Sequence, residues 1–248
     1  MKKNFMLLLT FAILTIFANT RCSSGKDTIQ TDGKLISFYE VPLVCGADTN
    51  IGCGSRIKPL FIETGKQSGI NESWTNRKGT VIAIVWDSSI TDESEREKII
   101  MPLFEKNNIE ATLIRDQGKQ QELVASFKKD KWYQGMDVDQ LSLEEAEFIA
   151  STQVNLAKDS GIITEIEADT LKKVIADYFK VELVKVRTLD ELSSEQTRAK
   201  WMSDIIALAS GIVGQEKVEQ MLKIYHEQRE CKENSSCDKK EKDCCKKE

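Results

Sequence analysis

The sequence predicts an α+β protein, and three observations carry that prediction. Strand-like and helix-like segments follow one another as β-α-β-β-α-β between residues 35 and 118. Helical periodicity dominates from 119 to 230. The last stretch, 231–248, holds cysteines among charges and no other apolar residue, so it is expected to be disordered unless a metal or disulfides gather it.

In chain order, Lys2 and Lys3 precede a nearly continuous apolar run over residues 5–17, the pattern of an export signal covering 1–21. The run is shorter than the roughly 20 residues a membrane span requires. Cys22 follows, with "SSGKD" after it. This arrangement resembles a bacterial lipoprotein signal, which implies lipidation at Cys22 and a membrane-anchored, periplasmic or cell-envelope protein. Asn19, Thr20 and Arg21 stand where such signals carry small residues, and cleavage near Thr20 to a secreted form is the alternative. Residues 22–34 are small and polar and read as a flexible tether.

"LISFYEVPLVC" is rich in β-branched and aromatic residues and reads as a strand, with Pro42 at an edge or bulge. "SRIKPLFIETGK" spaces Ile57, Leu60 and Phe61 as a helix, with Pro59 placed near its first turn and Gly65 as its stop. "INESW" is a short strand, "NRKG" a turn and "TVIAIVWD" a buried strand. A second helix follows, with Ile99, Ile100, Leu103 and Phe104 on one face, and then a strand in "IEATLIRD". Two helices on one face of a four-stranded antiparallel sheet make a ferredoxin-like βαββαβ domain over 35–118.

A mainly helical domain is expected over 119–230. Ser142 with Glu145, Thr164 with Glu167, and Ser193 with Gln196 have the spacing of capping boxes. "KVELVKVRTL" fits a strand or a helix extension, and "QEKVEQMLKIYHEQRE" a final amphipathic helix. Trp132 and Tyr133 are expected to dock their loop onto the core. Asp137 and Asp139 lack the remaining ligands of a calcium loop and read as helix-entry charge.

Chemistry is sought first in the cysteines, seven in all: Cys22, Cys45, Cys53, Cys231, Cys237, Cys244 and Cys245. Export would place them where disulfides persist. Cys53 stands where the first helix begins, and the loop from Cys45 contains Gly46, Asp48, Asn50 and Gly52, which turn readily. A thiol at a helix N-terminus beside Arg56 should have its thiolate favoured by the macrodipole and the positive charge. Three uses stay open for Cys45 and Cys53: a structural disulfide, soft-metal ligation, or redox attack by Cys53. In the tail, Cys231, Cys237, Cys244 and Cys245 suit Cu(I), zinc or another soft cation, or they pair or stay free.

"IGCGSRIKPLF", with the β-α-β-β-α-β order around it, resembles the heavy-metal-associated domain, a small ferredoxin-like metallochaperone module. In that family a C-x-x-C pair binds soft metal at the first strand-to-helix loop. The resemblance implies a ligand at Cys53. The family's second cysteine falls on Arg56, so the pair is absent here, and the resemblance covers about a third of the chain.

The net charge of −5, with both signs well mixed, points away from nucleic acid as a partner. His226 is the only histidine, which removes catalytic triads and histidine-rich metal sites, and it reads as a solvated surface residue. Phosphate loops and nucleophile elbows are missing. The resulting expectation is a non-enzymatic, exported protein that binds or delivers soft metal through thiols. The alternatives are an envelope thiol–disulfide protein using Cys53 and a binding or assembly protein with structural cysteines. The sequence names no protein partner.

Overall fold

A computed structural model describes residues 29–31 and 33–235 of the chain. Six antiparallel strands form one sheet: β1 (Ile29–Thr31), β2 (Lys34–Glu40), β3 (Ile70–Asn76), β4 (Val81–Trp86), β5 (Thr112–Leu113) and β6 (Trp132–Gln134). Their order is β1-β2-β4-β3-β6, and the two-residue β5 pairs with the far end of β2, on Tyr39 and Glu40.

All six residues of β4 are buried, and its alternation explains why. Successive side chains point to opposite faces of a sheet. Ile82, Ile84 and Trp86 face a core with Ile57, Leu60 and Phe61 of helix α1 (Gly54–Thr64) and with Ile100 and Phe104 of α2 (Glu93–Lys106). Val81, Ala83 and Val85 face a second core with Ile36, Phe38 and Trp132. Leu123, Val124 and Phe127 of α3 (Gln117–Lys129) close that side. A run with no polar alternation is what a strand covered on both faces requires.

This layering corrects the expected ferredoxin-like βαββαβ domain. The sheet opens with β1, ahead of the expected first strand, and is extended by β6, which pairs Trp132–Gln134 with β3. The segment "IEATLIRD" supplies only two strand residues, because Ile109 and Ile114 pack into opposite cores and the chain crosses the sheet edge between them. The face opposite α1 and α2 is buried under α3. Pro59 also differs from expectation: it lies inside α1, beyond its first turn.

Beyond β6, a 3-10 turn (Gly135–Val138) leads into α4 (Asp139–Asp159). Then come α5 (Glu165–Lys185), α6 (Leu189–Ser193), α7 (Glu195–Val213) and α8 (Gln215–Ser235). "KVELVKVRTL" continues α5 as helix up to Lys185. Ala146, Ala150, Val154 and Ala157 make a narrow seam on α4 that packs against Ala168, Leu171, Ile175 and Ala176 of α5. Small side chains every three or four residues let the two helices approach closely. Leu141, in the first turn of the same helix, belongs instead to the sheet core. Helix α4 therefore joins the two layers.

Candidate functional site

The chain from Leu43 to Cys53 forms a small hairpin. Val44 bridges Gly52, the Cys45 amide donates to the Ile51 carbonyl (2.8 Å), and the Cys53 amide donates to the Leu43 carbonyl (2.8 Å). Asp48 closes the tip by accepting the Asn50 amide at 2.8 Å. The hairpin hangs from the β3–β4 turn: the Gly52 amide donates to Arg77 O (2.7 Å) and the Leu43 amide to Gly79 O (3.1 Å). A Cβ on Gly79 would stand 2.4 Å from that Leu43 oxygen, and Gly79 has φ +66°, so only glycine serves there.

The register puts Cys45, Ile51 and Cys53 on one face. They form a buried cluster with Ala47 and Phe148 packed on it. Both thiols are free, and Cys45 Sγ accepts the Ala47 amide at 3.4 Å. Cys53 is the residue immediately before α1, where the sequence places it. Its surroundings differ from expectation. Arg56 turns away and donates to the Asn108 carbonyl at 3.2 Å. The group against the thiol is an acid: Cys53 Sγ donates to Glu145 Oε1 at 3.1 Å.

Glu145 comes from α4, ninety-two residues along the chain. Its carboxylate also accepts the Ser55 amide (3.4 Å) and the Ser55 hydroxyl (3.2 Å). Helix α1 has no acid in its first turn and no side-chain cap of its own. Glu145 supplies the negative charge and the acceptors that a helix N-terminus lacks. Burial first, and then the Glu145 charge, push the Cys53 thiol well above the ordinary thiol range. Burial likewise raises the Glu145 carboxyl, against the Cys53 and Ser55 hydrogen bonds, which lower it. Burial raises Cys45 as well. The expected thiolate-favouring environment at Cys53 is therefore corrected: burial and a facing carboxylate favour the protonated thiol.

A reciprocal contact lies further along α1. Lys58 is fully buried and donates to the Leu183 and Val184 carbonyls at 3.2 and 2.9 Å, near the C-terminal end of α5. It also pairs with Asp139, in the first turn of α4. Burial lowers the Lys58 ammonium, opposed by Asp139. A cation among the last carbonyls of a helix complements the negative end of its dipole. Arg77 adds an outer tie, donating to Glu144 at 2.9 Å.

Sequence reasoning missed Glu145, Ser55, Lys58 and Asp139 as partners. It assigned Glu145 to a capping box with Ser142, but α4 begins at Asp139, so both residues lie inside the helix. Ser142 Oγ is buried without a hydrogen-bond partner. One available signal was Lys58 itself, a charge inside the apolar run "IKPLF".

Among the described residues, no three His, Cys, Asp or Glu side chains converge as a metal-binding group. Cys231 falls in the last turns of α8, while Cys22, Cys237, Cys244 and Cys245 lie outside the described residues. His226 is exposed beside Tyr225. Trp132 and Tyr133 are buried and anchor their segment, as expected. No helix among the described residues is long and apolar enough to cross a membrane. A separate apolar cleft of about 70 Å³ lies between α4, α5, α7 and α8, lined by Leu156, Ile175, Ala209 and Val218 among others. Compared with protein-family models, curated proteins and solved structures, the chain matches none.

Proposed function

We propose that this chain is a non-enzymatic, exported protein that binds a soft metal ion through Cys45 and Cys53, with Cys22 as a lipid anchor and the tail cysteines as further thiol ligands. The observation that carries this reading is the pair of free thiols in one buried cluster at the entry to α1. Thiolate sulfur selects Cu(I) over hard cations, and Cu(I) is satisfied by two sulfurs where structural zinc takes four ligands.

The test is titration of the reduced chain with chelator-buffered Cu(I), with Cys22, Cys231, Cys237, Cys244 and Cys245 replaced by serine. Stoichiometric Cu(I) retained in that background, and lost on adding Cys53→Ser or Cys45→Ser, is the expected result. Retention of the metal without Cys53 sinks the reading.

A further inference from the structure

We propose that the Cys53–Glu145 contact is a latch: occupation of the Cys53 sulfur and docking of α4 on the mouth of α1 exclude one another. The latch rests on the metal reading only for the identity of its natural ligand.

Cys53 is 8% exposed, and Glu145 Oε1 lies 3.1 Å from its sulfur, so a substituent on that sulfur occupies the carboxylate's place. The same carboxylate holds the Ser55 amide and hydroxyl. Displacing it strips α1 of the cap it borrows from α4 and leaves a buried acid without donors, which favours its return to water. The surrounding contact is close but poorly bonded. A Cβ on Gly54 would meet the Ser142 amide and hydroxyl at 2.5 Å, yet Ser142 Oγ has no partner. The remaining inner ties are Lys58, which holds Asp139 and the end of α5, and Leu141 of α4, which is buried in the sheet core with Ile57 and Phe61. Since two states of one interface govern both events, coupling runs in both directions. A ligand on Cys53 loosens α4, and loosening α4 exposes Cys53.

The experiment uses the full reduced chain and methyl methanethiosulfonate. In this reaction the Cys53 sulfur loses its proton to buffer and displaces methanesulfinate, leaving a Cys53–S–S–CH3 bond. Peptide mapping follows Cys53 alone. Thiomethylated protein should exchange amide hydrogens over residues 139–146 about tenfold faster than the parent, within the usual range of coupling between sites. Asp139→Asn, which weakens the Lys58 tie without touching the thiol, should raise the Cys53 labelling rate by a similar factor. Lys58→Met is the second variant, should the first fold poorly. Unchanged exchange after modification, or labelling that proceeds at the parent rate in both variants, overturns the latch. Cu(I) bound at Cys53 without faster exchange also overturns the latch and leaves the metal reading standing. Thiomethylation that speeds exchange in a chain that fails to bind Cu(I) overturns the metal reading alone.

Discussion

At Gly54 two of the nearest neighbours are backbone: an added Cβ would lie 2.5 Å from the Ser142 amide nitrogen and 2.8 Å from the Val138 carbonyl oxygen. Neither atom can rotate away, so Gly54→Ala must push α1 off the start of α4. Overpacking of this kind costs about 1–3 kcal/mol, and urea denaturation should place this variant at the upper end. Ser142 is the opposite case. Its hydroxyl is desolvated and unpartnered, so removing it gives up no hydrogen bond. Ser142→Ala should leave stability unchanged or raise it by up to about 1 kcal/mol. A loss of more than about 1 kcal/mol in the same urea series would show that the hydroxyl has a partner. Cys53 was legible from sequence as a thiol at a helix entrance, because a strand, a turn-rich loop and a helix pattern are all local. Its protonation state was not legible, because burial, and then a carboxylate arriving from α4, decide it.

Among the elements, α5 begins as its sequence predicts. Thr164 accepts the Glu167 amide at 3.3 Å, and the Glu167 carboxylate accepts the Thr164 amide at 2.8 Å. Loss of such a cap typically costs about 1 kcal/mol, so Thr164→Ala should lower the melting temperature accordingly. Glu167 has a further partner that no local pattern shows: Lys217 of α8, at 2.7 Å. Its ammonium, with the Thr164 amide and hydroxyl, holds the Glu167 carboxyl down at about 2. A carboxyl depressed in the folded state stabilises above its unfolded value, near 4.3, and that contribution fades as pH falls towards 2. Glu167→Gln should therefore flatten the stability profile within that acid window and leave its slope at neutral pH unchanged. An unaltered acid limb in the variant would refute the assignment. The same spacing rule misplaced the starts of α7, which Ser194 caps by accepting the Thr197 amide at 3.0 Å in place of Ser193 with Gln196, and of α4. A serine and a glutamate three apart describe a cap only when the chain enters the helix at the serine, and here the helix already runs from Asp139.

Across the whole molecule, the sheet core is completed from beyond its own strands and helices. Tyr133, Val138 and Leu141 are buried with Ile57, Phe61 and Ile82, and β6 covers the edge of β3. A chain ending at residue 118 would leave that core open and an edge strand unpaired. It should show no cooperative thermal unfolding by circular dichroism, whereas the chain through 235 should show it. A sharp melt for the short form would mean that the sheet layer is self-sufficient. The helical layer has its own core, from Ala146 through Val218, and meets the sheet layer at α1 through Glu145, Lys58 and the Gly54 contact.

Residues in local sequence determined the helices of the second half, the buried strand β4, the Thr164 cap and the place of Cys53 before α1. Each rests on periodicity or spacing within a few residues, where backbone geometry fixes which side chains meet. Tertiary structure alone decided that the sheet is covered on both faces and extended at both edges. It alone brought Glu145 to the thiol and sent Lys58 to the end of α5. Those pairings join residues 92 and 125 positions apart. Their energies depend on burial, which a one-dimensional pattern does not contain.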